Sequence, residues 1–252
     1  MKAIIPAAGY ATRMYPLTKD MPKTLLKIAD RPILEHIIGK ILEISDINEI
    51  VVVTNAKFYE KFVEWNSSFK CRVPVKIIND KTSSNEDRLG SVGDINLCIE
   101  TEKIGEDIII VNSDNLFTFD LNMPLAFSRE KNASVIGMYD TKSIEESKKM
   151  GAPEIDSENR VIGFVEKPSE PKTTLSGIGI YFYTKEDVPL FKKYLEEGNS
   201  ADKTGEFVEW VYKKTPVFGF VFCGENDKWF DIGSLETFEQ AQSEFPKWGE
   251  KK

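Results

Sequence analysis

The residues best suited to chemistry stand near the start of the chain. Ala7-Ala8-Gly9-Tyr10-Ala11-Thr12-Arg13 follows a short apolar run, and Pro16-Leu17-Thr18 and Met21-Pro22-Lys23-Thr24-Leu25-Leu26 come next. A loop of small residues lets backbone N–H groups approach phosphate oxygens that bulky side chains would keep away. Arginine can grip two such oxygens at once, and lysine acts as a mobile point charge, so Arg13 with Lys23 suits a triphosphate that must lose pyrophosphate. The loop is neither GxxxxGK[ST] nor GxGxxG. Its first seven residues alone also fit an ordinary strand-to-helix turn with a surface cation; the extension through Pro22-Lys23 shifts the balance towards phosphate.

Further candidates lie downstream. A β-branched run over 107–111 ends at Asn112-Ser113-Asp114, and Trp229-Phe230-Asp231-Ile232-Gly233 offers a second carboxylate. Two anionic substrates need a divalent cation between them, and carboxylates are what hold one. Singly, Asp114 also reads as a turn residue and Asp231 as a helix cap near Ser234. Lys167 sits in Glu166-Lys167-Pro168, where proline is expected to keep the preceding residues extended and the ammonium consistently aimed; the plainer alternative is an exposed turn lysine. His36, the one histidine, falls inside an apolar helix pattern and reads as structural. No Ser-His-Asp or Cys-His arrangement is then available, and a phosphate monoester, largely dianionic near neutral pH, needs no such base. The aromatics recur at core spacing, except Tyr10, which is expected to project from the small-residue loop.

These groups need a scaffold. Strands expected over 2–6, 49–54, 75–78 and 107–111 alternate with helices over 33–42, 56–65 and 91–100, the pattern of an α/β fold with a Rossmann-like, mostly parallel sheet covered by helices on both faces. Ligands collect at the carboxyl ends of such strands. Beyond 140 the pattern loosens into strands over 161–165, 179–183 and 217–222 with helices over 185–197 and 206–213, a mixed second half. The loop-like stretch 198–203 is too short to be a linker. We therefore expect a single domain over 1–252, with a nucleotide-binding half at 1–140 and an acceptor-binding half at 141–252.

The chain has 252 residues, 41% hydrophobic and 29% charged, with a net charge of −8. That charge argues against nucleic acid or an anionic membrane surface as a partner. Cys71, Cys98 and Cys223 are odd in number and scattered, so they read as buried, reduced thiols. The N-terminal apolar run is too short for a signal peptide, and no segment approaches the roughly 20 apolar residues of a membrane span. A cytoplasmic protein is expected; nothing in the sequence fixes its oligomeric state.

Gly9-Tyr10-Ala11-Thr12-Arg13, Pro16-Leu17-Thr18 and Pro22-Lys23 resemble the G-x-G-T-R, P-L-T and P-K signature of the sugar-phosphate nucleotidylyltransferases. The resemblance continues through Leu89-Gly90-Ser91, Asn112-Ser113-Asp114-Asn115, Val165-Glu166-Lys167-Pro168, Gly177-Ile178-Gly179-Ile180-Tyr181 and Trp229-Phe230-Asp231-Ile232-Gly233. It implies the nucleotide-diphospho-sugar transferase type of fold, and transfer from a nucleoside triphosphate to a sugar 1-phosphate with release of pyrophosphate. It assigns Asp114 and Asp231 to Mg²⁺ and gives the nucleotide to Ala7, Ala8, Gly9, Tyr10, Ala11 and Thr12 with Leu89 and Gly90. Catalytic charge falls to Arg13, Lys23 and Lys167. Lys167 would meet the acceptor phosphate, while Glu166 and backbone around Gly151 and Gly177 hold sugar hydroxyls. Since the chain stops soon after a helix beginning near Ser234, the left-handed β-helix of some members, with its acetyltransferase activity, is not expected.

Two departures stand out. Ala11 replaces the usual glycine and, if φ is positive there, costs roughly 1 kcal/mol. The acidic Glu86-Asp87 precedes Arg88-Leu89-Gly90 and obscures how the base is read. Two other readings stay open: a cytidylyltransferase taking phosphocholine or another non-sugar phosphate, and a silent sensor that binds nucleotide-sugar.

Overall fold

The structure, a computed structural model, describes residues 1–248. Four strands, Val75–Asn79, Glu49–Thr54, Lys2–Pro6 and Ile108–Val111, lie side by side in that order and run parallel. Their residues alternate between two cores because side chains on a strand point to opposite faces. Ala3, Ile5, Ile50 and Val52 join the core on one face, Ile4, Val51 and Val53 that on the other. The first core is roofed by the helix Ile33–Ile41, whose Ile33, Leu34, Ile37, Ile38 and Ile41 are all buried. The second is covered by the helices Ser91–Thr101, Leu190–Glu196 and Thr204–Val211.

The long strand Leu175–Tyr183 continues the sheet antiparallel to Ile108–Val111. On its other edge it pairs with Ser134–Asp140, while on the edge it shares with Ile108–Val111 its Gly177 pairs with Gly151. The strand Gly151–Ile155 then pairs antiparallel with Val161–Glu166, while Val217–Phe222 runs parallel to Ser134–Asp140. The second half is mixed, as the sequence indicated. The fork at Gly177 opens the sheet where its two branches separate.

Several boundaries differ from expectation. The helix expected from 56 begins only at Tyr59, because Asn55 Oδ1 accepts the Phe58 N–H at 3.0 Å and holds 55–58 in a turn. The helix expected from 185 starts at Leu190, after Pro189. Strands Ser134–Asp140 and Gly151–Ile155 were not expected. Only Cys98 of the three cysteines is buried; Cys71 is half-buried and Cys223 exposed. Among the described residues no helix is long and apolar enough to cross a membrane.

Candidate active site

Where the parallel strands end, a cavity of about 360 Å³ is lined by all of Ala7 to Arg13 together with Lys23, Gly90 and Asp114. The loop is tied to the sheet by Ala7 N–H donating to Val53 C=O at 2.8 Å. Ala11 has φ 47° and ψ 42°, the left-handed conformation that suits glycine. Thr18 Oγ1 donates to its carbonyl at 2.7 Å and Met14 N–H at 2.9 Å, which holds the strained residue in place. Two sequence readings need correction here. Tyr10 does not project: it is 5% exposed, with its hydroxyl 3.3 Å from Thr82 Oγ1. Leu89 faces solvent outside the cavity wall, and only Gly90 of that pair lines it. Gly90 has φ +82°, and a Cβ there would come within 2.6 Å of Asp202 Cα, so the turn can pack against 201–202 only as glycine.

Asp114 and Asp231 are joined by two very short strands. Asn115–Phe117 pairs antiparallel with Trp229–Asp231, setting Asp231 opposite Asn115, and Ile232 N–H donates to Asp114 C=O at 2.9 Å. Trp229 Nε1 donates to Asn115 Oδ1 at 2.7 Å, and Asn115 Nδ2 to Ile178 C=O at 2.9 Å, which ties the pair to the sheet. Lys23 Nζ reaches Asp114 Oδ2 at 3.1 Å and Ile232 C=O at 2.9 Å. The cap of the helix Leu235–Trp248 is Ser234, whose Oγ accepts Thr237 N–H at 3.2 Å, so Asp231 is free of that duty. Asp231 is exposed to the cleft, where the surrounding protein thins its hydration and, with the nearby Asp114 charge, pushes its carboxyl up to about 6; Lys23, Lys167 and Arg13 pull the other way. All five charged side chains foreseen for the site therefore act on one point.

Two carboxylates with open coordination positions, beside the unpartnered buried Asn112 Oδ1, fit Mg²⁺, which takes one or two protein carboxylates and completes its shell with water and phosphate oxygens. Among the described residues no cluster of three or more acidic, histidine or cysteine side chains forms a closed metal cage.

A second cavity of about 220 Å³ opens on the other side of Asp114 and is lined by Gly151, Glu166, Lys167, Gly177 and Asp231. Gly151 and Gly177 face each other in the ladder. A Cβ on Gly151 would overlap the Phe164 ring, so bare backbone is what lets the ring floor the pocket. Lys167 is not extended as expected but left-handed, φ 52°. The strand stops at Glu166, and Lys167 N–H turns back to donate to Met150 C=O at 3.0 Å. Neither Lys167 nor Arg13 forms an ion pair among the described residues. Ser91, Asn112, Asp114 and Asp202 line both cavities, so the two meet at Asp114.

The model of the nucleotidyl transferase family matches residues 2–247. The chain belongs to that family. It is 28% identical to the bifunctional protein GlmU of Methanocaldococcus jannaschii over 92% of its length, spanning about half (51%) of that protein. It is 26% identical to a glucose-1-phosphate thymidylyltransferase of Neisseria gonorrhoeae, covering 96% of this chain and 82% of the relative. A UTP–glucose-1-phosphate uridylyltransferase, AglF of Haloferax volcanii, is also 26% identical over 73% and 72% of the two chains. A UDP-glucose pyrophosphorylase structure with UDP-glucose shares the fold, with TM-score 0.80, 20% identity and 98% of each chain covered.

This nucleotidyl transferase carries cleft residues that sequence reading passed over. Lys149, Lys203, Thr204 and Gly205 line the second cavity, Arg88 and Asp94 the first, and Asp202 both. Arg88 Nε pairs with Asp202 at 3.1 Å across the cleft mouth. Gly205, in the first turn of Thr204–Val211, makes room for Glu166: a Cβ there would overlap Oε2 and lie 2.7 Å from Cδ. Burial raises the Glu166 carboxyl above its usual range, with Lys167 and Lys203 opposing. The small pair Thr204-Gly205 ahead of an apolar helix was the available signal; Lys149, in a run of charge, gave none.

Proposed function

We propose that this nucleotidyl transferase couples a nucleoside triphosphate to a sugar 1-phosphate, giving a nucleoside diphosphate sugar and pyrophosphate. The observation that carries the reading is the meeting of two cavities at Asp114, one walled by a phosphate-accepting loop and the other by hydrogen-bonding groups. The acceptor's phosphate oxygen attacks the α-phosphorus in line, a new P–O bond forms, the bond to the β-phosphate oxygen breaks, and pyrophosphate leaves. Little proton traffic is needed, so placement and charge do the work. Arg13 stabilises the departing pyrophosphate, Lys23 the triphosphate and Lys167 the acceptor phosphate. Glu166 and the backbone at Gly151 and Gly177 take the sugar hydroxyls. Asp114 and Asp231 would hold Mg²⁺, which when bound offsets the negative charge of both substrates. Nucleotide contacts come chiefly from residues 1–140, acceptor contacts from 141–252, and the metal pair draws on both.

Phosphocholine would call for aromatic faces around a quaternary ammonium. The three rings that line the acceptor cavity are tied to other partners: Phe164 packs under Gly151 and Gly177, the Tyr181 hydroxyl lies 3.2 Å from Thr204 Oγ1, and the Trp229 indole N–H is held by Asn115. A silent sensor has no physical need for paired carboxylates converging with three cations. Three free thiols favour a reducing, cytoplasmic setting. Pyrophosphate release from a panel of triphosphates and sugar 1-phosphates tests the proposal; D114N should abolish it, and turnover close to wild type would remove Asp114 from the site.

A further inference from the structure

The carboxylate pair rests on a small piece of structure. Asn115–Phe117 and Trp229–Asp231 form a two-stranded sheet of their own, three residues to a strand. Two strands of that size are not stable alone in water, so the ribbon cannot by itself fix the direction of Asp231. The backbone bond from Ile232 N–H to Asp114 C=O holds the two chains together at one end but leaves the ribbon able to twist. It has to be fastened to the main sheet.

Asn115 makes that connection. It is 2% exposed, and its side chain stands on the same face of the ribbon as Trp229 and Asp231, because residues opposite in an antiparallel ladder share a face and so do residues two apart. The amide has its acceptor on one side and its donors on the other. Oδ1 accepts the Trp229 indole N–H at 2.7 Å, while Nδ2 donates to Ile178 C=O at 2.9 Å and lies 3.4 Å from Asn112 C=O. One side chain thus joins the turn that carries Asp114, the strand that carries Asp231 and the central strand Leu175–Tyr183. A Cβ at Gly179 would come within 2.4 Å of Asn112 Nδ2, so residues 112–115 can lie this close to the central strand only because residue 179 is glycine.

We infer that Asn115 is a positioning residue for the reaction: by clamping Trp229 to the main sheet, its amide aims Asp231 at the ion that Asp114 shares. This rests on the metal reading of the two carboxylates under Proposed function, but its test does not need turnover. Mn²⁺, used in place of Mg²⁺, is titrated into the substrate-free protein and the free ion counted by electron paramagnetic resonance. N115L keeps the size of the side chain and removes both ends of the clamp; W229F keeps an aromatic ring and removes only the N–H. Groups that orient metal ligands are worth about 10- to 100-fold in affinity, so N115L should bind Mn²⁺ that much more weakly than wild type, and W229F about 10-fold more weakly. Because both variants cut the same clamp, the double variant should lie within about 3-fold of N115L. An asparagine that only stabilised the fold would lower the melting temperature and leave Mn²⁺ affinity within about 3-fold of wild type. That result in N115L or W229F, or losses that multiply in the double variant, would overturn the inference. If N115L does not fold, W229F decides alone. Mn²⁺ affinity unchanged in both D114N and D231N would instead overturn the metal reading of the pair, and the role of Asn115 with it.

Discussion

The two cavities that meet at Asp114 are built in different ways. The nucleotide side is built round one continuous loop at the ends of parallel strands, residues 6–13, with 23–24, parts of 85–94, 112–114 and 202 completing its wall. The acceptor side is gathered from separate segments around a fork in the sheet: 149–151, 164–167, 177–181, 202–205 and 229–231. A contiguous loop tolerates change in distant residues, whereas a pocket of converging segments depends on every joint. Function should accordingly be robust on one side and fragile on the other, with the carboxylate pair critical to both.

The largest effect is expected at that pair. D231N should lower turnover by about 10²–10³-fold, the scale for removing one preorganised electrostatic group, read as pyrophosphate release under saturating substrates. Next come the lysines on either side of it. K167A should raise KM for the sugar 1-phosphate about 10- to 100-fold with little change for the triphosphate, as loss of a charge-assisted hydrogen bond of about 1.5–3 kcal/mol requires. K23A should do the reverse. Equal loss for both substrates in both variants would erase the division between the cavities.

Smaller, and confined to the acceptor side, is G205A. Its methyl would displace the Glu166 carboxylate, the movable end of a side chain on the cavity wall, so we expect a raised acceptor KM with little change in stability and nucleotide binding by calorimetry unchanged. On the nucleotide side, Asp94 predicts a pH effect. A carboxyl kept protonated in the fold holds a proton that the unfolded chain has lost above about pH 4. Its stabilisation is therefore full below that pH and disappears as pH rises through about 8. D94N removes the dependence, so its melting temperature should exceed wild type at pH 8 by a few degrees, about 2–4 °C for each kcal/mol recovered, with the two curves converging towards pH 5.

What the sequence could reveal follows the same division. The stretch Ala7–Arg13 was legible because its chemistry is local: small residues, then a cation, straight after a strand. Asp231 was set beside Asp114 only through the family resemblance, since their meeting depends on a pairing of three-residue strands too short to leave a periodic signal. The strand Ser134–Asp140 is buried over most of its length, and so lacks the alternation that marks a half-exposed strand. Asp94 looked like an ordinary polar position on a helix; only the fold shows Asp80 against it. The turn at Lys167 stood only as the plainer alternative, because proline favours extended backbone before it; tertiary pairing with Met150 prevails.

The smallest expected effect concerns the one irregular residue of the otherwise forgiving loop. Ala11 sits at φ 47°, where an L-residue is disfavoured by about 1–2 kcal/mol, while glycine in its place would forfeit about 0.4–1 kcal/mol through a freer unfolded chain. The difference leaves A11G slightly the more stable, by about 0.5–1 kcal/mol, a rise of about 1–4 °C in melting temperature. If the alanine serves only as tolerated strain, A11G should also leave KM for the triphosphate within about 3-fold, because the bonds from Thr18 and Met14 to the residue-11 carbonyl persist with either side chain. A less stable A11G would mean that the Ala11 methyl makes packing contacts worth more than the strain it imposes, and the nucleotide side would then depend on fine fit as much as the acceptor side does.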